Sequence, residues 1–463
     1  MAIIIGLTNG SAGGSSSIMN AWYGVRIYKG ELVNENDRVQ RIAGTGYMDL
    51  HASLPLQSQM RRCLLRDDGT VNYYLHPNDS TLKADGTPAV LDGTDGQIMV
   101  ELPDTYVKFE QDPDYLYCKM STIHLPGFVK WTKKYVSAVE ATLEKTGSKL
   151  SSVINWTDEY CGGNGNATIN IANMLGRPRT VISLTTFRTY ARNRETGWVS
   201  NTGSVQKHLY WFYIVEYATL NSQKAFNGQL TAEGYHQGGL GEGVSNLNST
   251  KWNDYSGYYP VVPCGTTVVG YSDNDDALDR HTLEANKLGN FSGVANYKFI
   301  AGTYDTNEFT TYPNSYRGVE NPFGHIFKWT DGLLVRYNDS DHEGECALYT
   351  AENPEDFAST LNAGYKFAGI LPSVNTPIGY VKEILFDPDG NIMPMTLGGS
   401  STTYYCDYYY HLTEVQPENN IRGVLFGGRA SNGARCGFAY AYTYYAPSYE
   451  YANIGSRLCF YPQ

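Results

Sequence analysis

Alternating apolar and polar positions predict strands over the first third of the chain. Ala21-Trp-Tyr-Gly-Val-Arg-Ile-Tyr28 alternates and is closed by Lys29-Gly30, the pattern of a half-buried strand ending in a turn. From Asp67 onwards short apolar runs lie between turn signals: Asp67-Asp-Gly, Asp85-Gly, Asp92-Gly and Asp95-Gly. They separate Val71–Leu75 from Gln97–Leu102, and Tyr106–Phe109 follows Pro103 in the same manner. Three segments carry helical signals instead. Ser183 is placed to cap Leu184–Arg192, with Leu184, Phe187 and Tyr190 or Ala191 on one face. Val205–Leu220 is apolar nearly all round, which predicts a buried helix. Glu216 inside it then needs a partner, expected to be Arg188 or Arg192. Glu352–Gly364 is the third, ended by Gly364. Val136–Lys145 fits either a helix or a strand.

Residues 1–68 read as a separate N-terminal piece, with a flexible Gly10-Ser-Ala-Gly-Gly-Ser-Ser-Ser17 stretch. Gly228–Val319 is rich in Gly, Asn, Asp and Tyr. Few regular elements are expected there, and such a segment is usually functional or packed by its own side chains. No repeat at a fixed period is evident.

Composition sharpens this at one residue type. The 463 residues include 39 Tyr, against 7 Trp and 16 Phe, together with 48 Gly. That content excludes a disordered chain and a coiled coil. It favours strands joined by turns, or a contact surface built from phenol rings. The tyrosines are also unevenly placed: twelve fall in residues 399–463, where an even spread would give about five or six. They form clusters at 404–410 and 440–451.

Net charge is −12, which disfavours a phosphate backbone as partner. No apolar run approaches the ~20 residues of a membrane span, and Met1-Ala-Ile-Ile-Ile-Gly lacks a signal peptide's charged start. Secretion by the usual route is not expected, so work outside a cell would require another means of export. No two of the eight cysteines are closer than 23 residues, so no Cys-x-x-Cys occurs; free, buried thiols are expected.

Catalytic motifs are missing. There is no Gly-x-Ser-x-Gly elbow, P-loop or His-Glu-x-x-His. Gly238-Gly-Leu-Gly-Glu-Gly243 reads as a tight loop. In Asp273-Asn-Asp-Asp-Ala-Leu-Asp279 the sixth position is Leu278 rather than Gly, so a solvated acidic loop is expected rather than a calcium site. No metal, cofactor or catalytic residue is assigned.

The C-terminal stretch is more informative. From Phe438 to Tyr451, six of fourteen positions are Tyr, alternating with Ala, Ser and Thr. Tyr gives rigid contact area at low entropy cost, and small neighbours let rings find a partner. The alternatives are a sheet decorated with cross-strand aromatic pairs and a buried core, which would require a partner for each hydroxyl. A ligand-binding surface is expected, carried by Asn432, Tyr440, Tyr442, Tyr444, Tyr445, Ser448, Tyr449 and Tyr451. Arg429 and Arg457 are expected to pin strand ends.

Gly427-Gly-Arg-Ala-Ser431 and Asn453-Ile-Gly-Ser-Arg-Leu-Cys-Phe460 resemble the closing segments of the C-type lectin-like fold. The branch they resemble is shared by formylglycine-generating enzymes and the variable proteins of diversity-generating retroelements. Leu102–Phe109, Thr180–Asn193, Trp211–Gln223 and Tyr316–Gly332 resemble segments of phage tail-fibre members. The resemblance spans about residues 70–463 and implies an α+β fold: a C-type lectin-like domain with short strands, two main helices and long irregular loops. A small N-terminal β or extended region precedes it. The enzyme branch uses two cysteines five apart, whereas here Cys436 is preceded at that distance by Ser431; no enzyme activity is expected. The variable-protein branch implies a bacteriophage virion protein, a tail or head fibre component for host attachment, without a signal peptide. Residues 69–463 would form the receptor-binding domain, with its Tyr-rich face in 398–463. Residues 1–68 would attach it to other virion proteins or make the oligomer, with a homotrimer the expectation. The partner would be a bacterial surface glycan or protein, with no nucleic acid and no membrane insertion. The alternative is a structural decoration or assembly protein using the same face for protein contact.

Overall fold

A computed structural model describes residues 21–44, 50–155, 157, 159–162, 176–224, 264–265, 281–284, 289–290, 292–294, 296–300, 308–311 and 313–463. Gly10–Ser17, Gly238–Gly243 and Asp273–Asp279 lie outside these residues, as does most of 228–300.

Strands dominate, in three main sheets. The first runs Val39–Ala43, Tyr23–Tyr28, Tyr115–Ser121, Thr105–Gln111, Val129–Trp131, all antiparallel. The second runs Trp198–Ser200, Leu458–Phe460, Lys134–Ser137, Gln97–Leu102, Arg62–Leu65, Val71–His76, Asp79–Lys83. The last strand of the chain is thus inserted between Trp198–Ser200 and Lys134–Ser137. The third sheet is built around Phe327–Asp339, which pairs with Glu345–Thr350 on one side and Asn420–Phe426 on the other. Beyond Asn420–Phe426 come Ala441–Tyr442, Tyr408–Tyr410, Gly379–Ile384 and Pro394–Gly399. The ambiguous Val136–Lys145 resolves into strands Lys134–Ser137 and Thr142–Glu144. The strand-rich, mixed α+β reading therefore holds.

Two long helices are present among the described residues. Leu184–Arg192 is capped by Ser183, whose hydroxyl accepts the Thr186 N–H, and buries Leu184, Phe187 and Ala191 as its periodicity predicts. Gly203–Tyr217 is capped by Thr202, and every residue from His208 to Val215 is buried. It has no polar face because sheets surround it: Trp211 packs on Phe109 with ring centroids 5.0 Å apart and donates its indole N–H to the Gly390 carbonyl. No described helix is long and apolar enough to cross a membrane.

Three expectations are corrected. Glu216 does not pair with Arg188 or Arg192. It accepts from the Tyr316 hydroxyl at 3.0 Å and from Arg317, while Arg188 grips the buried Asp331 through two bonds and Arg192 donates to the Pro354 carbonyl. The carboxylate sits at the helix's C-terminal end, which packs against a distant segment that local spacing cannot reveal. Glu352–Gly364 is not a helix. Asn353 caps a single 3-10 turn at Pro354–Asp356, and Asn362 donates to the Asp356 carbonyl, closing a loop in place of a second turn. Nor is residue 68 a structural break. Tyr23–Tyr28 pairs along its whole length with Tyr115–Ser121, and Tyr23, Val25 and Ile27 share one core with the Gly203–Tyr217 helix and Phe438. The seven cysteines whose side chains are described are free and buried, as expected.

Candidate tyrosine-lined recognition face

The two tyrosine clusters meet. Tyr408–Tyr410 runs parallel to Ala441–Tyr442, with Tyr410 opposite Tyr442 and Tyr409 opposite Ala441. Successive side chains of a strand point to opposite faces, which explains the alternation in the sequence. Tyr408, Tyr410, Tyr442 and Tyr444 fall on one side, and Tyr409, Ala441 and Thr443 on the other. The small Ala441 and Thr443 leave room for buried rings beneath. There the Thr443 hydroxyl is hydrogen-bonded at 2.8 Å to both Tyr337 and Tyr409, giving both buried phenols a side-chain partner.

The rings form one continuous path from the core outwards. Tyr380 meets Tyr408 edge-on at 5.0 Å, and Tyr408 stacks toward Tyr440. Phe327 bridges Tyr440 and Tyr442 at 5.8 and 5.1 Å. Tyr442 stacks on Tyr410 and tilts toward Tyr445 at 5.1 Å. Tyr445 stacks on Tyr449 at 3.7 Å, only 9° from parallel, and Tyr451 follows at 6.3 Å. Tyr444 packs against Tyr442 and Tyr445 at 6.1 and 5.4 Å. Burial raises the Tyr442 phenol well above its usual range, reinforced by its hydrogen bond to Tyr445. The same causes push Tyr449 up to about 12. These hydroxyls stay protonated near neutrality and offer both donors and acceptors.

The expected site residues divide. Tyr444 and Tyr451 are 41% and 38% exposed, and Ser448 is exposed between them. Tyr442, Tyr445 and Tyr449 are half-buried. Tyr440 is only 1% exposed, so it is a core residue rather than a contact: it lies between Phe327 and Tyr408, in the buried stretch of the path. Asn432 is also committed elsewhere. Its Oδ1 accepts the Arg429 N–H at 2.9 Å, closing the turn at Ala430–Arg435. Arg457 is buried and donates to the Ser137 and Glu320 carbonyls, pinning the last strand as expected. Arg429 differs: it is half-exposed, and its Nε is buried without a hydrogen-bond partner. Tyr380, Tyr410 and Arg435 join the face without having been assigned to it, with the buried Tyr408 behind them. The 404–410 cluster was the available signal, but it splits: Tyr405, Tyr408 and Tyr409 are buried, and Tyr404 lies beneath the Arg38 guanidinium.

The framework behind the face is tightly set. Gly428 has φ +70°, and a Cβ there would lie 2.7 Å from Cys436 Sγ, so the Gly427-Gly428 turn tolerates no side chain at its second position. Cys436 donates its thiol to the Arg429 carbonyl, and burial pushes it up to about 12. It is therefore a protonated structural thiol. The Leu184 N–H, one of the orphan donors at a helix start, is accepted by the Pro447 carbonyl at 3.0 Å, and the Val181 N–H by the Tyr451 carbonyl at 3.2 Å. These bonds fix the loop carrying Ser448. Among the described residues no group of His, Cys, Asp and Glu is arranged to hold a metal ion.

No protein-family model matches this chain, and no curated protein matches it.

Proposed function

We propose that the chain is a phage virion receptor-binding protein, a tail or head fibre component with a C-type lectin-like domain. Its tyrosine-lined face would meet a bacterial surface ligand by non-covalent contact, without catalysis. The observation that carries this reading is the ring path itself, which ends in two exposed tyrosines on a sheet-backed support. Hydroxyl-bearing rings of this kind dominate binding surfaces where one end must be dry and the other wet. The division of side chains supports the variable-protein comparison. Ala441, Thr443 and Tyr440 hold the scaffold and Tyr442 packs against it, while Tyr444, Ser448 and Tyr451 are exposed. Insertion of Leu458–Phe460 beside Lys134–Ser137 supports the lectin-like reading, in which the last strand closes the domain. Several copies on one particle, proposed as a trimer, would add avidity to weak single contacts.

Binding of the fluorescently labelled full chain to a panel of intact bacteria tests this. Decoration of some strains, abolished in a Tyr444→Ala, Tyr451→Ala double variant, is the expected result. Decoration of none, or an unaffected double variant, would sink it. Failure of particle assembly in that variant would point to the decoration role instead.

A further inference from the structure

The face is locally basic in an acidic chain. Against a net charge of −12, residues 420–451 carry Arg422, Arg429 and Arg435 and a single carboxylate, Glu450. Several arginines elsewhere are held by acids: Arg62 by Glu320, Arg188 by Asp331, Arg194 by Asp67, Arg317 by Glu216 and Arg336 by Asp339. The three beside the tyrosines form no ion pair with a described carboxylate. Arg435 is exposed, with its guanidinium carbon 4.7 Å over the Tyr408 ring. Arg429 lies near enough to Tyr440 and Tyr449 for its charge to favour their ionised forms, and its Nε is unpartnered. Arg422 stands near Tyr444, with its terminal nitrogens held by Asn420 and Gln416. The nearby Asp407 is buried, its Oδ2 has no hydrogen-bond partner, and burial favours its neutral form.

Ring geometry narrows the ligand further. A sugar stacks on an open ring face, but Tyr410 and Tyr442 cover each other at 4.8 Å, as do Tyr445 and Tyr449 at 3.7 Å. Tyr444 and Tyr451 are the rings most open to solvent. Tyr and Arg together are the side chains most enriched in protein-binding hot spots, and guanidinium matches a carboxylate through paired hydrogen bonds.

Resting on the recognition reading above, we infer that the ligand is an acidic polypeptide segment. Its Asp or Glu carboxylates dock on Arg429 and Arg435 while its apolar side chains cover Tyr444 and Tyr451.

The test uses the full chain and poly-L-glutamate as probe, with polygalacturonate as the anionic glycan control. Poly-L-glutamate should bind at about 50 mM salt and weaken about tenfold by about 300 mM, as screening of exposed charges requires. An Arg429→Gln, Arg435→Gln variant should lose about tenfold with unchanged circular dichroism, and Arg429→Lys, Arg435→Lys should restore part of it. Absence of poly-L-glutamate binding, binding indifferent to the double variant, or equal affinity for polygalacturonate would overturn the inference. If the Gln variant leaves probe binding intact but Tyr444→Ala, Tyr451→Ala strips the chain from bacteria, only the acidic-ligand inference falls. If the arginines govern probe binding but no bacterium is decorated, the inference stands and the receptor reading falls.

Discussion

Tyr410 and Tyr442 stack with ring centroids 4.8 Å apart and planes 7° from parallel, from neighbouring strands that run in the same direction. The pair joins the 404–410 cluster to the 440–451 cluster, and both rings are only half-buried.

Such a contact should be measurable as a coupling. Stacked aromatic pairs contribute about 0.5–1.5 kcal/mol beyond the area they bury. A double-mutant cycle with Tyr410→Leu and Tyr442→Leu, read by urea unfolding, should return a coupling in that range. Additive single effects would mean that the rings are neighbours without mutual stabilisation.

Neighbouring tyrosines in the same strand run should behave oppositely. Tyr440 is enclosed by Phe327 and Tyr408, so Tyr440→Ala should destabilise the fold by about 3–5 kcal/mol, as large-to-small core changes do. Tyr444 is 41% exposed, and Tyr444→Ala should change stability by no more than about 0.5 kcal/mol while weakening bacterial binding. Thermal melts paired with the cell-binding measurement separate the two. A large stability loss at Tyr444 would show that its ring is structural.

The buried hydroxyl of Thr443 offers a third check. Thr443→Val preserves shape but removes the group that Tyr337 and Tyr409 share. Leaving buried donors unsatisfied costs about 1–3 kcal/mol. Denaturant unfolding should show that loss, and an added Tyr409→Phe should recover part of it. No loss in the single variant would mean that the phenols find other partners.

Much of this site was legible in the sequence because strand alternation is local. Tyr-x-Tyr-x-Tyr with Ala and Thr between carries its own facing, and Ser183 and the apolar Leu209–Val215 run carry theirs. What could not be read was pairing at a distance. Glu216 finds Tyr316 and Arg317 a hundred residues on, and the parallel pairing of Tyr410 with Tyr442 leaves no local trace. Tyr440 shows the other limit. It has the same period as Tyr442, but it is 1% exposed where Tyr442 is half-buried, and periodicity gives the side of a strand without saying how deeply that side is buried. The N-terminal strand was likewise set apart by its composition, although its partner, Tyr115–Ser121, lies about ninety residues along the chain.

Asp407 makes stability depend on pH in a specific direction. Its carboxyl is fully buried; its Oδ1 is 3.4 Å from the Ser222 hydroxyl, and its Oδ2 has no hydrogen-bond partner. Burial raises its pKa well above the ordinary 3.8. As pH rises past 3.8 the unfolded chain releases this proton while the folded chain keeps it, so the contribution of Asp407 to stability falls with pH until the raised value is reached. Asp407→Asn removes that dependence while retaining an oxygen for Ser222. The variant should therefore gain on the wild type between pH 4 and pH 7, by at most about 1.4 kcal/mol per pH unit. Urea unfolding at several pH values reads this directly, and a stability difference that stays constant from pH 4 to pH 7 would show that Asp407 is ionised in the fold.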